Sequence, residues 1–183
     1  MIVKIDMDGV IRDILTPMCD IYNNMCKENV QPHDINVYNV NEFFVKMWDE
    51  FLFKPSDHFF NHMADDVFLN KSKPYEGVRD AILKLKENGF KVIIVTWQET
   101  LKNKLLALEF LNRYDIPYDD ICFTRDKYLI QGDILIDDNP EFLDDTRDKS
   151  LKFCVEYPYN SHIRSALKVD SLEDAVNLLL TEI

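Results

Sequence analysis

Residues 1–13 read MIVKIDMDGVIRD: an apolar run from Ile2 to Ile5, two aspartates separated by one residue, then Gly9. Residues two apart in a strand face the same side, so Asp6 and Asp8 point together into a cleft where the strand ends, and Gly9 lets the backbone turn there. Carboxylates this close repel each other. They stay ionised together only around a shared cation, or else one becomes a proton donor. Asp-x-Asp-Gly is also ordinary turn chemistry, so the stretch gains meaning only from what joins it.

A second acidic pair, Asp137 and Asp138, follows the apolar run Ile134–Ile136 in DILIDDNPEF. Capping explains part of it, because Asp138 or Asn139 suits the start of a helix whose first residue is Pro140. The other aspartate is left over. Further strand-like runs lie at Phe90–Val95, Ile121–Phe123 and Leu151–Val155. Helical spacing appears between them, at Val78, Ala81, Ile82 and Leu85, and again at Leu101, Leu105 and Leu108. The closing stretch SLEDAVNLLL reads as a helix with Ser171 as N-cap and Asp174 three residues on. Alternating strands and helices predict a doubly wound, Rossmann-like α/β fold with a parallel sheet, whose site lies at the carboxyl ends of the strands. Both acidic pairs then meet at one edge, and four carboxylates there call for an oxygen-seeking divalent ion such as Mg2+.

Residues 14–73 break the rhythm. They carry three helical stripes: Met18, Ile21, Tyr22 and Met25; Phe43, Phe44, Met47, Trp48, Phe51 and Leu52; and Phe59, Phe60, Met63, Ala64 and Val67. This segment reads as a helical cap inserted after the first strand, with residues 1–13 and 74–183 forming the α/β core. Its aromatics are expected mainly in the cap's own interior.

Two residues complete the set: Thr96, which ends FKVIIVT, and Lys127, ten residues before Asp137. Alone, each has a bland explanation as a strand-end hydroxyl or a solvated lysine. Together with the aspartates they supply a carboxylate nucleophile, a second carboxylate, a hydroxyl, a cation and a metal pair, which is the equipment for phosphoryl transfer.

Composition narrows the substrate. With 33 acidic and 21 basic residues the formal net charge is −12, and no Lys/Arg stripe tracks a phosphate backbone, so a nucleic-acid polymer is not expected. No apolar run approaches a membrane span, and Cys19, Cys26, Cys122 and Cys154 show no paired spacing; the expectation is a cytoplasmic protein with reduced thiols, making no membrane contact. His58 and His62 have the spacing of a zinc pair on one helix face but lack the glutamate of an HExxH site. A homodimer is left open.

In order and spacing, DMDGV at 6–10, Thr96, Lys127 and Asp137-Asp138 resemble the four motifs of the haloacid dehalogenase (HAD) superfamily of phosphatases. More narrowly, DMDGV with Asp13, TRDK at 124–127 and GDILIDD at 132–138 resemble the 5′(3′)-deoxyribonucleotidase family. The resemblance implies that Asp6 attacks phosphorus to form an aspartyl-phosphate, and that Asp8 protonates the leaving oxygen and then activates water. It further implies Mg2+ on Asp6, the Asp8 main-chain carbonyl and Asp138, with Asp137 behind them, and phosphate on Thr96 and Lys127. The substrate would be a nucleoside monophosphate, with the deoxy sugar pressed against an apolar wall of cap Phe, Met and Trp residues. Three residues depart from the family: Trp97 and Gln98 follow the threonine where Ser-Pro is usual, and Ile14 stands in place of a phenylalanine. The alternatives are a phosphatase of a sugar phosphate or other small metabolite, and a non-catalytic HAD-fold binding or regulatory module.

Overall fold

The computed structural model describes residues 1–181; residues 182 and 183, the end of the stretch assigned to the core, lie outside the described residues. Six parallel strands form one sheet: β1 (Ile2–Ile5), β4 (Lys91–Thr96), β5 (Asp120–Phe123), β6 (Ile134–Asp137), β7 (Leu151–Val155) and β8 (Leu167–Val169), in the order β5-β4-β1-β6-β7-β8. β1 is central. The chain runs outward from it through β4 to β5, returns to its other side at β6, and runs outward again, so the crossing point lies at the carboxyl end of β1.

Register fixes that edge. Ile5 pairs with Ile94 of β4 and with Ile136 of β6, so the residues that follow each strand emerge side by side. β1 also carries a charge in its middle. Lys4 is 1% exposed and paired 2.5 Å from Asp148, its Nζ also donating to the Ile130 carbonyl at 3.1 Å. A buried ammonium without such partners would cost several kcal/mol, so this pair pins the two loops that flank β6.

After β1 the chain turns into β2 (Arg12–Asp13), which pairs antiparallel with β3 (Lys73–Pro74). This two-stranded stem leads into and out of the insertion, where α1 (Leu15–Cys26), α2 (Val40–Phe43), α3 (Val45–Phe51) and α4 (Pro55–Asp57) lie. α4 continues into a π-helical turn at His58–His62, and a second such turn spans Asp66–Asn70. The expected second stripe is in fact broken: Phe44 leaves helical geometry between α2 and α3, and Leu52 ends α3 with a positive φ of 59°. Phe44 and Met47 are buried, whereas Trp48, Phe51 and Leu52 are 52, 40 and 82% exposed. Phe44 sits within 5.1 Å, centroid to centroid, of Tyr22, Phe43 and Phe59, a cluster of edge-on and tilted rings.

On the core side, α5 (Val78–Glu87) buries Val78, Ala81, Ile82 and Leu85, the face its spacing predicts, and packs against α8 (Leu172–Thr181). Ser171 caps α8, its Oγ accepting from the Asp174 amide at 3.1 Å. In α6 (Leu101–Arg113) the expected face is the wrong one. Leu101, Leu105 and Leu108 are exposed, and Leu106, Ala107, Phe110 and Leu111 are buried. Leucines lie all around this helix, so spacing alone leaves its rotation open; the large Phe110 gains most from burial and decides it. β8, a three-residue edge strand, was not foreseen.

Candidate active site

The edge at the crossing point holds three buried carboxylates, Asp6, Asp137 and Asp138, each offering an oxygen within 4.8 Å of the others. Asp6 follows β1 with its amide bonded to the Ile136 carbonyl at 2.9 Å, so β6 fixes its backbone. Lys127, from the loop after β5, is 2% exposed and places Nζ 2.7 Å from both Asp6 Oδ1 and Asp137 Oδ2. Its ammonium also lies 4.4 Å from the centre of the Phe142 ring. The lone loop lysine of the sequence is therefore the buried counter-ion of the cluster.

Asp137 is fully committed. One oxygen accepts from Lys127 and the other from the Asn139 amide at 2.9 Å. Asn139 in turn caps α7 (Pro140–Leu143), its Oδ1 accepting from the Glu141 amide at 2.9 Å, which takes the capping role away from Asp138. Asp138 accepts from the Tyr159 hydroxyl at 2.6 Å through Oδ2, and its Oδ1 is buried with no partner. Gly9 sets how closely the first turn approaches: its φ is +86°, and a Cβ there would lie 2.5 Å from Asp138 Oδ2. Only glycine fits both constraints.

Electrostatics follow from this crowding. Burial, aided by the Asp137 and Asp8 charges and opposed by Lys127, pushes the Asp6 carboxyl up to about 7. Burial together with Asp6 and Asp137 raises Asp138 well above the usual carboxylate range. For Lys127, burial alone would release the proton, but Asp137 and Asp6 outweigh it and hold the ammonium above its ordinary value.

Asp8 departs from the expectation that four carboxylates converge. Its side chain turns out of the cluster: Arg12 Nε donates to Oδ1 and Gln98 Nε2 donates to Oδ2, each at 2.7 Å. Arg12 is fully buried, with its guanidinium 4.7 Å from the Phe68 ring centre and Nη1 donating to the Phe68 carbonyl at 2.9 Å. Thr96 ends β4 at 1% exposure, its hydroxyl 3.3 Å from the Gln98 amide nitrogen.

Sequence reasoning missed Arg12, Gln98, Tyr159 and Asn160. Arg12 had a signal, a basic residue four places after Asp8. Asn160, fully buried, donates to the carbonyls of Asp138 and Val155 at 2.8 Å and locks the β7 loop behind Asp138. The aromatic residues beside Asp138 are Tyr159, Tyr157 stacked on it at 5.1 Å and Tyr38 edge-on at 5.5 Å, all with polar tips. His58 and His62 are not joined by a third ligand in any metal-ligating group among the described residues; His58 stacks on Phe53 at 4.5 Å.

Solved structures share this chain path. One titled "putative beta-phosphoglucomutase", from Thermotoga maritima, is 15% identical, with a TM-score of 0.66 over 100% of this chain and 99% of that one. The D,D-heptose 1,7-bisphosphate phosphatase from B. bronchiseptica, solved with magnesium and phosphate, is 12% identical, with a TM-score of 0.56 over 100% and 99%. The fold is that of the HAD phosphatases. A curated protein of Chlorobaculum tepidum named "Putative 5'(3')-deoxyribonucleotidase" is 23% identical over 97% of this chain and 89% of its own length. The model of the 5′ nucleotidase, deoxy (pyrimidine), cytosolic type C protein (NT5C) family matches residues 1–182, and the chain belongs to that family. It is thus a phosphoric monoester hydrolase of the 5′-nucleotidase type.

Proposed function

We propose that the protein removes the phosphate of deoxyribonucleoside monophosphates through an aspartyl-phosphate on Asp6, with Mg2+ as cofactor. The observation that carries the reading is the charge balance of the cluster: three buried carboxylates face one lysine, and one carboxylate oxygen, Asp138 Oδ1, is buried without a partner. Ionised together, the three carboxylates would leave two negative charges uncompensated in a buried site, which fits a small dication with oxygen ligands. Asp6, Asp138 and the Asp8 main-chain carbonyl would hold it, and Asp137, with both oxygens taken, would stay behind them. Bound there, Mg2+ supplies positive charge to the phosphoryl oxygens and keeps Asp6 ionised.

The residues then divide the work. Asp6 attacks phosphorus as the bond to the ester oxygen breaks, and Asp8 gives that oxygen its proton. In the second half Asp8 takes a proton from water as the water oxygen attacks phosphorus, releasing inorganic phosphate and restoring the Asp6 carboxylate. Lys127 and the Thr96 hydroxyl hold the phosphoryl oxygens, supplying the positive potential that an overall charge of −12 withholds. The family description and the name of the Chlorobaculum tepidum relative support the deoxynucleotide as substrate.

Phosphate release from dUMP, UMP, dGMP, GMP and a set of sugar phosphates, with Mg2+ and with chelator, tests this. Faster turnover of each deoxynucleotide than of its ribose partner, lost with chelator, is expected. Equal kcat/KM within each pair removes the deoxy preference, and a sugar phosphate exceeding all four replaces the substrate class.

A further inference from the structure

We propose that Gln98 is a positioning residue for Asp8, clamping the proton-transfer carboxylate against Arg12 and in register with Thr96. The proposal rests on the reading of Asp8 as acid and base. Each oxygen of Asp8 has its own donor, Arg12 Nε at Oδ1 and Gln98 Nε2 at Oδ2, both at 2.7 Å. Two donors on two oxygens fix the rotation of the carboxylate, which one donor would leave free.

The two donors differ in what holds them. Arg12 is a fixed wall, its guanidinium lying between the rings of Phe68 and Phe110 at 4.7 and 5.3 Å and tied to the Phe68 carbonyl. The turn itself needs only its main chain, whose amide donates to the Met7 carbonyl at 2.7 Å while its carbonyl accepts from the Gly9 amide at 3.0 Å. Gln98 lies two residues past the end of β4, next to the half-exposed Trp97, where a long polar side chain is ordinarily solvated. It is 4% exposed instead, and its amide nitrogen reaches both Asp8 and, at 3.3 Å, the Thr96 hydroxyl. These contacts join the residue that handles the leaving-group proton to the residue at the phosphoryl oxygens.

A clamp on the acid has a specific kinetic signature. As the P–O bond breaks, the proton moves from Asp8 to the ester oxygen, and a basic leaving group requires that transfer where a stabilised one does not. Phenyl phosphate and p-nitrophenyl phosphate have nearly the same shape and differ in this respect. The full chain with Mg2+ is assayed on both, as wild type, Gln98→Met, Gln98→Glu and Asp8→Asn, with thermal melting to verify that each variant folds. Gln98→Met is expected to lower kcat/KM, which covers the steps up to loss of the leaving group and not hydrolysis of the aspartyl-phosphate, about 10- to 100-fold on phenyl phosphate against about threefold or less on p-nitrophenyl phosphate, with inhibition by inorganic phosphate unchanged. Gln98→Glu, which sets a second carboxylate beside Asp8, shows the same split more strongly, and Asp8→Asn shows it most.

Equal losses on the two esters, or weaker inhibition by phosphate in Gln98→Met, would assign Gln98 to phosphoryl binding and overturn the proposal while leaving the phosphatase reading intact. Unchanged rates on both esters overturn it as well. A wild-type protein that hydrolyses neither ester overturns the phosphatase reading, and the proposal falls with it.

Discussion

The sheet edge and the helical insertion place their side chains in different ways. At the edge, hydrogen-bonded register does the positioning: Ile5 lies between Ile94 and Ile136, so Asp6, Thr96 and Asp137 come together whatever their side chains prefer. In the insertion no ladder fixes position beyond the short β2–β3 stem. Short helices are interrupted at Phe44 and Leu52 and relayed through π-helical turns, and packing alone sets which residue faces where. Residues at strand ends are therefore placed by the ladder and legible, while those of the insertion are placed by packing and are not.

The largest effect expected from this contrast is at the edge. Asp6→Asn removes the attacking oxygen and keeps the shape, so turnover should fall by at least about 10⁴-fold with the melting temperature held or raised. Substantial residual turnover would exclude the covalent route. Lys127→Met comes next. It leaves the Asp6 and Asp137 carboxylates unpaired in a buried site, and should cost both rate, about 10²- to 10³-fold, and stability, about 3–5 kcal/mol, which Mg2+ should partly restore. A variant that loses rate alone would mean that the lysine only touches substrate.

In the insertion the same experiments should separate stability from activity. Phe44→Ala opens a cavity among three rings and should cost about 3–5 kcal/mol by chemical denaturation, while the ratio of kcat/KM for two substrates stays constant. A change in that ratio would place Phe44 in the cleft. Trp48→Ala, at a half-exposed position, should move stability by less than about 0.5 kcal/mol.

A smaller effect is set by pH. Asp6 folds with its carboxyl raised to about 7, so the folded state binds that proton more tightly than the unfolded chain does. The stability this contributes is complete below the ordinary carboxylate range and is lost as pH rises through about 7. In chelator the melting temperature should fall by a few degrees between about pH 5 and pH 8, and added Mg2+ should flatten the trend. A rise over that interval without metal would contradict the charge balance drawn for the cluster.

The same contrast explains what could be read in advance. The first five sheet strands were legible because apolar runs bounded by Asp, Gly or Thr leave few alternatives, and the acidic pairs were legible because parallel strands end together. The rotation of α6 was not, since Leu101, Leu105 and Leu108 carry the same spacing as a buried face and only Phe110 breaks the tie. Gln98 was not, because nothing in sequence says that a long polar side chain folds inward onto Asp8; Arg12, four places after Asp8, carried a signal of charge pairing but none of burial. Tyr38, Tyr157 and Tyr159 escaped for a further reason: Tyr159 reaches Asp138 while Tyr157 and Tyr38 pack on its ring, from two segments more than a hundred residues apart, a juxtaposition only the tertiary fold creates.

In the proposed mechanism Asp6 supplies the oxygen of a covalent phosphoryl bond, and Asp8, two residues away, serves only protons. It is tested most directly by quenching the Asp8→Asn variant in acid during turnover of p-nitrophenyl phosphate with Mg2+ and mapping the phosphorylated peptide by mass spectrometry. The leaving group here needs no proton, so the first step proceeds and the second stalls. One phosphoryl group is expected to accumulate on Asp6, labile to hydroxylamine and absent from the Asp6→Asn variant; phosphate on any other residue, or steady turnover with no phosphorylated protein at any time, would exclude Asp6 as the nucleophile.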